Sequence, residues 1–143
     1  MMSPAGGRHG KITMRLAARL AAFVEAVELG EVFAAETGFL LERDPDTVRA
    51  PDIAFIASER VHQADTSGFI CVPPDLAVET LSPDDRASRV NQKIQWWLDH
   101  GVRQVWVVDI ENQTVSIHPC EGQAQLLRQG ESLSGVNCSK SSQ

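Results

Sequence analysis

The sequence predicts an α/β fold on the border with α+β, a mixed sheet flanked by helices, and three observations predict it. An amphipathic segment opens the chain. Two nearly all-apolar runs, Leu76-Ala77-Val78-Glu79-Thr80-Leu81 and Val105-Trp106-Val107-Val108, read as central strands covered on both faces. A second amphipathic segment lies between those runs, so helices pack against a sheet. At 143 residues the chain is long enough for one domain with its own core, and 43% hydrophobic with 22% charged residues is an ordinary globular composition. No uninterrupted apolar stretch approaches the roughly 20 residues that a membrane-spanning helix needs. The opening residues carry no apolar core of the kind that drives secretion, which makes the cytoplasm the expected compartment.

Taken in order, Ile12, Leu16, Leu20, Phe23 and Val27 recur at helical steps while Arg15, Arg19, Glu25 and Glu28 take other faces. This predicts a helix over residues 11–29, with Gly30 as its stop. Val32-Phe33-Ala34-Ala35 and Gly38-Phe39-Leu40-Leu41 read as extended, and the turn cluster Asp44-Pro45-Asp46 leads into Thr47-Val48, so a β-hairpin is expected. Residues 51–56 predict a strand with Pro51 at its start, where a missing N–H does least harm. Residues 57–73 lack periodicity and predict a loop. Ser82-Pro83-Asp84-Asp85 predicts a helix start, combining a cap, a preset first φ and negative charge at the positive end of the dipole. That helix runs to His100 and stops at Gly101, with Ala87, Val90, Ile94, Trp97 and Leu98 facing inward. Residues 102–110 predict a second central strand, Glu111-Asn112-Gln113 a turn, residues 114–118 its hairpin partner, and Gln125-Leu126-Leu127 an edge strand. The domain is expected to span residues 1–133, with 134–143 as a polar tail.

The formal charge of −6 argues against holding polyanions by bulk electrostatics, yet it suits a protein that concentrates carboxylates at a metal site. Cys71, Cys120 and Cys138 have no metal-like or CxxC spacing and read as reduced, mostly buried thiols. Gly6, Gly7 and Gly10 with Lys11 fall short of a phosphate-binding loop, because Ala5 and Ile12 stand where glycine and a hydroxyl are required. A flexible lead-in with a solvated His9 is the expectation there.

The carboxylates are more informative. Glu79 sits in the middle of the most hydrophobic strand and Asp52 at the start of another apolar one. A lone ionised carboxylate in such surroundings costs several kcal/mol unless a partner offsets it, and the ordinary partner is a salt bridge or water at a strand end. Strand alternation puts Asp75, Ala77 and Glu79 on one face, and Asp52, Ala54 and Ile56 on one face of theirs. If the two strands are neighbours, Asp52 and Glu79 converge, and two converging carboxylates suit Mg²⁺, with Asp75 in reserve. Lys93 is the one lysine in the packed middle of the chain. It shares a helix stripe with Arg86, Arg89 and His100, and the fold-back of that helix returns Lys93 to the level of Glu79. Arg86 and Arg89 are candidate phosphate contacts, against the plainer reading of a solvated face. Of Trp96 and Trp97, about 100° apart on a helix, one is expected in the core and the other near the surface.

These blocks carry a resemblance. Arg49-Ala50-Pro51-Asp52-Ile53-Ala54-Phe55, Pro74-Asp75-Leu76-Ala77-Val78-Glu79-Thr80-Leu81-Ser82-Pro83, Lys93-Ile94 and Gly101-Val102-Arg103-Gln104-Val105-Trp106-Val107-Val108-Asp109 look like the Uma family of proposed endonucleases, within the PD-(D/E)XK superfamily. The similarity runs from about Ser3 to Leu133, with the chain slightly short for the family at both ends. It implies a restriction-endonuclease-like core and metal-dependent cleavage of DNA. By motif match Asp52 takes the Pro-Asp aspartate and Glu79 the acidic position of the third strand. Leu81 stands where the general pattern has lysine, so Lys93 on the following helix is its match. The expected activity is that of an endodeoxyribonuclease dependent on Mg²⁺ or Mn²⁺, with Asp52 and Glu79 as metal ligands and catalytic groups. Lys93 would orient the attacking water or neutralise charge at the phosphate. The rival reading is a nuclease-fold binding or assembly module without catalysis. A homodimer formed through the edge near residues 114–118 is a further expectation.

Overall fold

Residues 6–128 are described in the computed structural model. Six strands form the main sheet in the order β1-β4-β5-β6-β7-β8: β1 Gly30–Ala34, β4 Ile53–Ala57, β5 Leu76–Thr80, β6 Gln104–Asp109, β7 Thr114–Pro119 and β8 Gln125–Arg128. The β5–β6 pair is parallel and the others are antiparallel, so the sheet is mixed as expected. The parallel pair needs a crossover, and α3, Ala87–Asp99, supplies it. The expected hairpin is β2 Phe39–Glu42 with β3 Thr47–Arg49, and it forms a separate two-stranded sheet while the preceding segment, β1, pairs with β4 instead. The expected loop over residues 57–73 contains one short helix, α2 Ser58–Val61.

Every residue of β5 is buried, and alternation divides the core into two layers. On one face Ile53, Leu76, Val78, Trp106, Val108 and Ile117 meet Ile12, Leu16, Ala17 and Leu20 of α1, Gly7–Ala26. On the other, Ala54, Ile56, Ala77, Val105 and Val107 meet Ile94 and Trp97 of α3 and Phe39 of the hairpin. Phe39 is fully buried and meets Trp97 edge to face, 6.2 Å between centroids. Leu40 N–H bonds to Ile70 O at 2.8 Å and Ile70 N–H to Gly38 O at 3.0 Å, tying the hairpin to the long connection.

Several local expectations give way, each to an identifiable competitor. The first helix starts at Gly7, so the glycine-rich opening is helical from Gly7 onward. It ends at Ala26, and Val24 is buried where Phe23 and Val27 are exposed. Its terminus is a Schellman motif without glycine: Glu28 takes φ 54, Leu29 N–H reaches Val24 O and Glu28 N–H reaches Glu25 O. Gly30 instead opens β1, where a Cβ would stand 2.0 Å from Ile56 O. Residues 82–85 form a turn and not a helix start, because Asp85 folds back to accept Ser82 N–H at 2.7 Å while Ser82 O accepts Asp85 N–H. The helix begins one turn later, with Arg86 at its N-cap. Residues 114–118 are not an edge, since β8 covers β7 along Thr114↔Arg128 to Ile117↔Gln125. Cys71 and Cys120 are free but exposed, contrary to the expectation of burial, and Cys138 and the expected tail lie outside the described residues.

Two glycines should respond in opposite directions. Gly30→Ala introduces a clash and a strained φ of +156, and should lower unfolding free energy by about 2 kcal/mol or more in a denaturant melt. Gly10→Ala, exposed inside α1 with nothing within 4 Å of the new methyl, should raise it by up to about 1 kcal/mol.

Candidate active site

The antiparallel register sets Ile53 opposite Val78, and one further step sets Asp52 across from Glu79. Residues opposite each other in such a ladder have Cβ atoms about 5 Å apart on one face, so the two carboxylates converge as the alternation predicts. Asp52 stands just outside β4, where the ladder ends, and its side chain takes over from the backbone: Oδ2 accepts Thr80 N–H at 2.7 Å. No hydrogen bond occupies its other oxygen among the described residues.

Glu79 is 8% exposed. Both of its oxygens face donors from α3. Trp97 Nε1–H donates to Oε2 at 2.9 Å, and Lys93 Nζ lies 3.7 Å from Oε1. Lys93 and Trp97 are four residues apart, hence on one helix face, which is how one helix serves both oxygens of one carboxylate. Burial pushes the Glu79 carboxyl up to about 7, with the Asp52 charge adding to the rise, while Lys93 and the Trp97 hydrogen bond hold it down. The positive contribution of Lys93 does not cancel the desolvation.

α1 reaches the same place from the opposite face of the sheet. His9 Nε2 lies 3.0 Å from Thr80 O and 3.7 Å from Asp52 Oδ2, and Thr13 Oγ1 donates to Thr80 Oγ1 at 3.0 Å. The expectation of a solvated His9 is therefore corrected. The imidazole closes the end of β5, with Nε2–H donating to the carbonyl. Sequence reasoning underrated it because the contact spans 71 positions; its one signal was a histidine one helical turn before Thr13 on a face shared with the inward-pointing residues.

Asp75 is not a reserve ligand. It lies four residues before Glu79, about 13 Å along the strand, at the opposite end of β5. There Oδ2 accepts Ala57 N–H at 2.7 Å and meets Arg60 Nη1 at 3.0 Å, with Arg103 Nε 3.8 Å from Oδ1. His100 also leaves the site: its Nε2 meets Glu42 Oε2 at 2.9 Å and its ring stacks on Trp96, which Arg49 covers at 4.6 Å. Trp97 is in the core and Trp96 is half-buried, as expected of the pair. Arg86 and Arg89 are exposed at the start of α3, at the end of the helix that follows Thr80.

Among the described residues no three of His, Cys, Asp and Glu stand together as a closed metal cage. Two carboxylates without a third ligand beside them fit a hard cation, which takes one or two carboxylates and keeps its waters, better than they fit zinc. Asp52, with one oxygen free of hydrogen bonds, and Glu79 across from it are the two acids that such a fit concerns.

A mixed six-stranded sheet between helices, with paired acids and a lysine at one end of its central strand, defines a nuclease-like α/β protein. The fold matches a solved structure described as "a putative nuclease belonging to DUF820 from Anabaena variabilis ATCC 29413", with a TM-score of 0.78, 23% identity, and coverage of 100% of this chain and 80% of that one. The family model Uma2, described as "Putative restriction endonuclease", matches residues 1–140, and the chain belongs to that family. No curated protein matches it.

The buried glutamate makes stability depend on pH with a defined sign. Below about 4.5 both folded and unfolded states carry the proton, between about 4.5 and 7 only the folded state does, and above 7 neither does. Stability therefore falls as pH rises through that window, by up to about 3 kcal/mol. Burial lowers the His118 imidazole below 6.5 and tilts stability the other way, so the readout is the difference between wild type and Glu79→Gln. In metal-free buffer, that difference should shift in favour of Glu79→Gln from pH 4.5 to 7 in urea melts; a pH-independent difference would refute the assignment.

Proposed function

We infer that the chain is a metal-dependent endonuclease of the PD-(D/E)XK type that hydrolyses DNA phosphodiester bonds. The observation that carries this reading is the convergence of Asp52, Glu79 and Lys93 at the end of β5, two acids from opposed strand positions and one lysine returned by the crossover helix. Asp52 and Glu79 would hold Mg²⁺, or Mn²⁺ in its place. When bound, such a cation lowers the pKa of a coordinated water and stabilises charge on a phosphate oxygen. The chain's own groups do the rest. Lys93 is already held near Glu79 Oε1 and presents an ammonium to the attacking water or to the phosphate oxygens. Trp97 fixes the plane of the Glu79 carboxylate so that Oε1 remains turned toward Lys93. The Thr80 N–H holds Asp52 Oδ2, leaving its other oxygen for the cation. Arg86 and Arg89, exposed where the chain enters α3, would meet phosphates flanking the scissile bond.

Incubation with supercoiled plasmid and Mg²⁺ or Mn²⁺ tests the reading. Wild type should nick or linearise the DNA, and chelation should stop it. Asp52→Asn keeps an acceptor for Thr80 N–H and Glu79→Gln keeps one for Trp97, so both should fold and both should lose at least about a hundredfold in rate. Lys93→Met should lose a comparable factor without loss of metal binding in calorimetry. No nicking by wild type, or equal nicking by the Asp52 and Glu79 variants, refutes it.

A further inference from the structure

The cations of α1 are arranged against the helix's own interest. Between residues 6 and 24 there are four basic side chains, Arg8, Lys11, Arg15 and Arg19, and no acidic one, in a chain whose net charge is −6. All four are exposed, and among the described residues no carboxylate pairs with any of them. They follow one another at steps of three and four residues, where like charges repel along a helix face. Arg8 and Lys11 also sit in the opening turns, at the positive end of the macrodipole, where acidic side chains are favoured. Each placement costs stability in the free protein, and a line of negative charge laid along the helix would relieve all of them.

The structure provides the bed for such a line. Arg8, Lys11 and Arg15 rim one side of an open groove floored by the apolar Ile12, Val108, Ile110 and Val115, and its other side is the end of β6 and the start of β7, with Asp109, Gln113 and Thr114. The one acid in that lining, Asp109, is engaged by its own turn, accepting Asn112 N–H at 3.2 Å and Asn112 Nδ2–H at 2.8 Å. The groove opens at the same end of the sheet as the site, on its α1 face: β6 runs parallel to β5 with Val108 beside Thr80, the neighbour of Glu79, one strand spacing of about 5 Å away. His9 and Thr13, which touch Thr80, belong to the same helix turns as Arg8, Lys11 and Arg15. From Arg8 to Arg15 the helix rises about 10 Å, which spans about three phosphates of one strand of a DNA duplex along its axis.

We propose that this groove, rimmed by Arg8, Lys11 and Arg15, is the principal surface that grips the phosphate backbone of duplex DNA beside the scissile bond. The proposal rests on the nuclease reading for its ligand, but binding and cleavage are measured separately. The contacts are to phosphate and carry no base readout, so the grip is insensitive to sequence and sensitive to salt.

Fluorescence anisotropy with a labelled 20-base-pair duplex in EDTA, over a series of salt concentrations, provides the test. The triple variant Arg8→Gln/Lys11→Gln/Arg15→Gln should bind at least about tenfold more weakly at low salt, and the slope of log K against log salt should fall by about 2 to 3. Its melting temperature should equal or exceed that of wild type, since repulsion is removed; should it fail to fold, Arg15→Glu alone should weaken binding in the same assay. Wild-type affinity and slope in the variant would overturn the proposal. So would a larger loss in Arg86→Gln/Arg89→Gln, or tighter binding of an RNA duplex than of the DNA. Binding by wild type without nicking would refute the nuclease reading and leave the groove standing, whereas nicking with an unaffected triple variant would do the reverse.

Discussion

One buried charge organises this molecule. Glu79 lies in a strand with no exposed residue, and an uncompensated carboxylate there costs several kcal/mol. The cost is met by one face of α3, with Lys93 on one oxygen and Trp97 on the other. Because Trp97 is also the wall against which Phe39 packs, the donor to the glutamate is fixed by the same contact that seats the hairpin. A shift of α3 along the sheet would break the hydrogen bond, open the core and unpair the charge together. The compensation is incomplete, as the raised carboxyl shows, and the site keeps part of the electrostatic cost that a second cation beside Asp52 and Glu79 would remove.

The parts of this arrangement legible in the sequence are those with a strong local contrast. An acid inside Leu-Ala-Val-Glu-Thr-Leu and another opening Ile-Ala-Phe-Ile stand out against apolar strands, and period-two alternation suffices to aim both at the same face. The central strands were legible for the same reason. Where two local structures share one vocabulary, legibility ends. Ser82-Pro83-Asp84-Asp85 contains what a helix start needs, but the same residues satisfy a turn, and Asp85 bonding back to Ser82 decides between them. Asp75 and Glu79 share a strand face, and only Arg60 and Arg103, distant in sequence, mark the first as structural. His9 joins the site across 71 positions with no periodic signal linking it to Thr80.

Composition misled in a related way. A net charge of −6 is a property of the whole chain, and the field that a ligand meets belongs to one surface. Averaging hides a helix whose first eighteen residues carry only cations. It also hides that several acids are committed elsewhere: Asp75 to two arginines at the far end of β5, Asp85 to a turn and Asp109 to another. At the Glu79 end of β5 stand one pair of carboxylates whose burial is not fully offset and, on α1, one row of cations that no carboxylate pairs with among the described residues.

Those two features impose opposite demands on a ligand. The paired acids gain from a cation between them, and the α1 row gains from anions laid along it, so each alone destabilises the free protein and each is relieved by charge of the other sign. On the proposed reading a metal ion carried on a phosphodiester backbone would supply both at once, with the cation at Asp52 and Glu79 and neighbouring phosphates along α1. Anything that binds the folded state alone stabilises it by mass action. Metal and DNA would therefore each strengthen the fold, and whatever factor the metal adds to the affinity for DNA, DNA returns to the affinity for the metal, by the reciprocity of linkage. The strain stored in the free protein is in this view the counterpart of that coupling, placed where the two helices meet the end of β5.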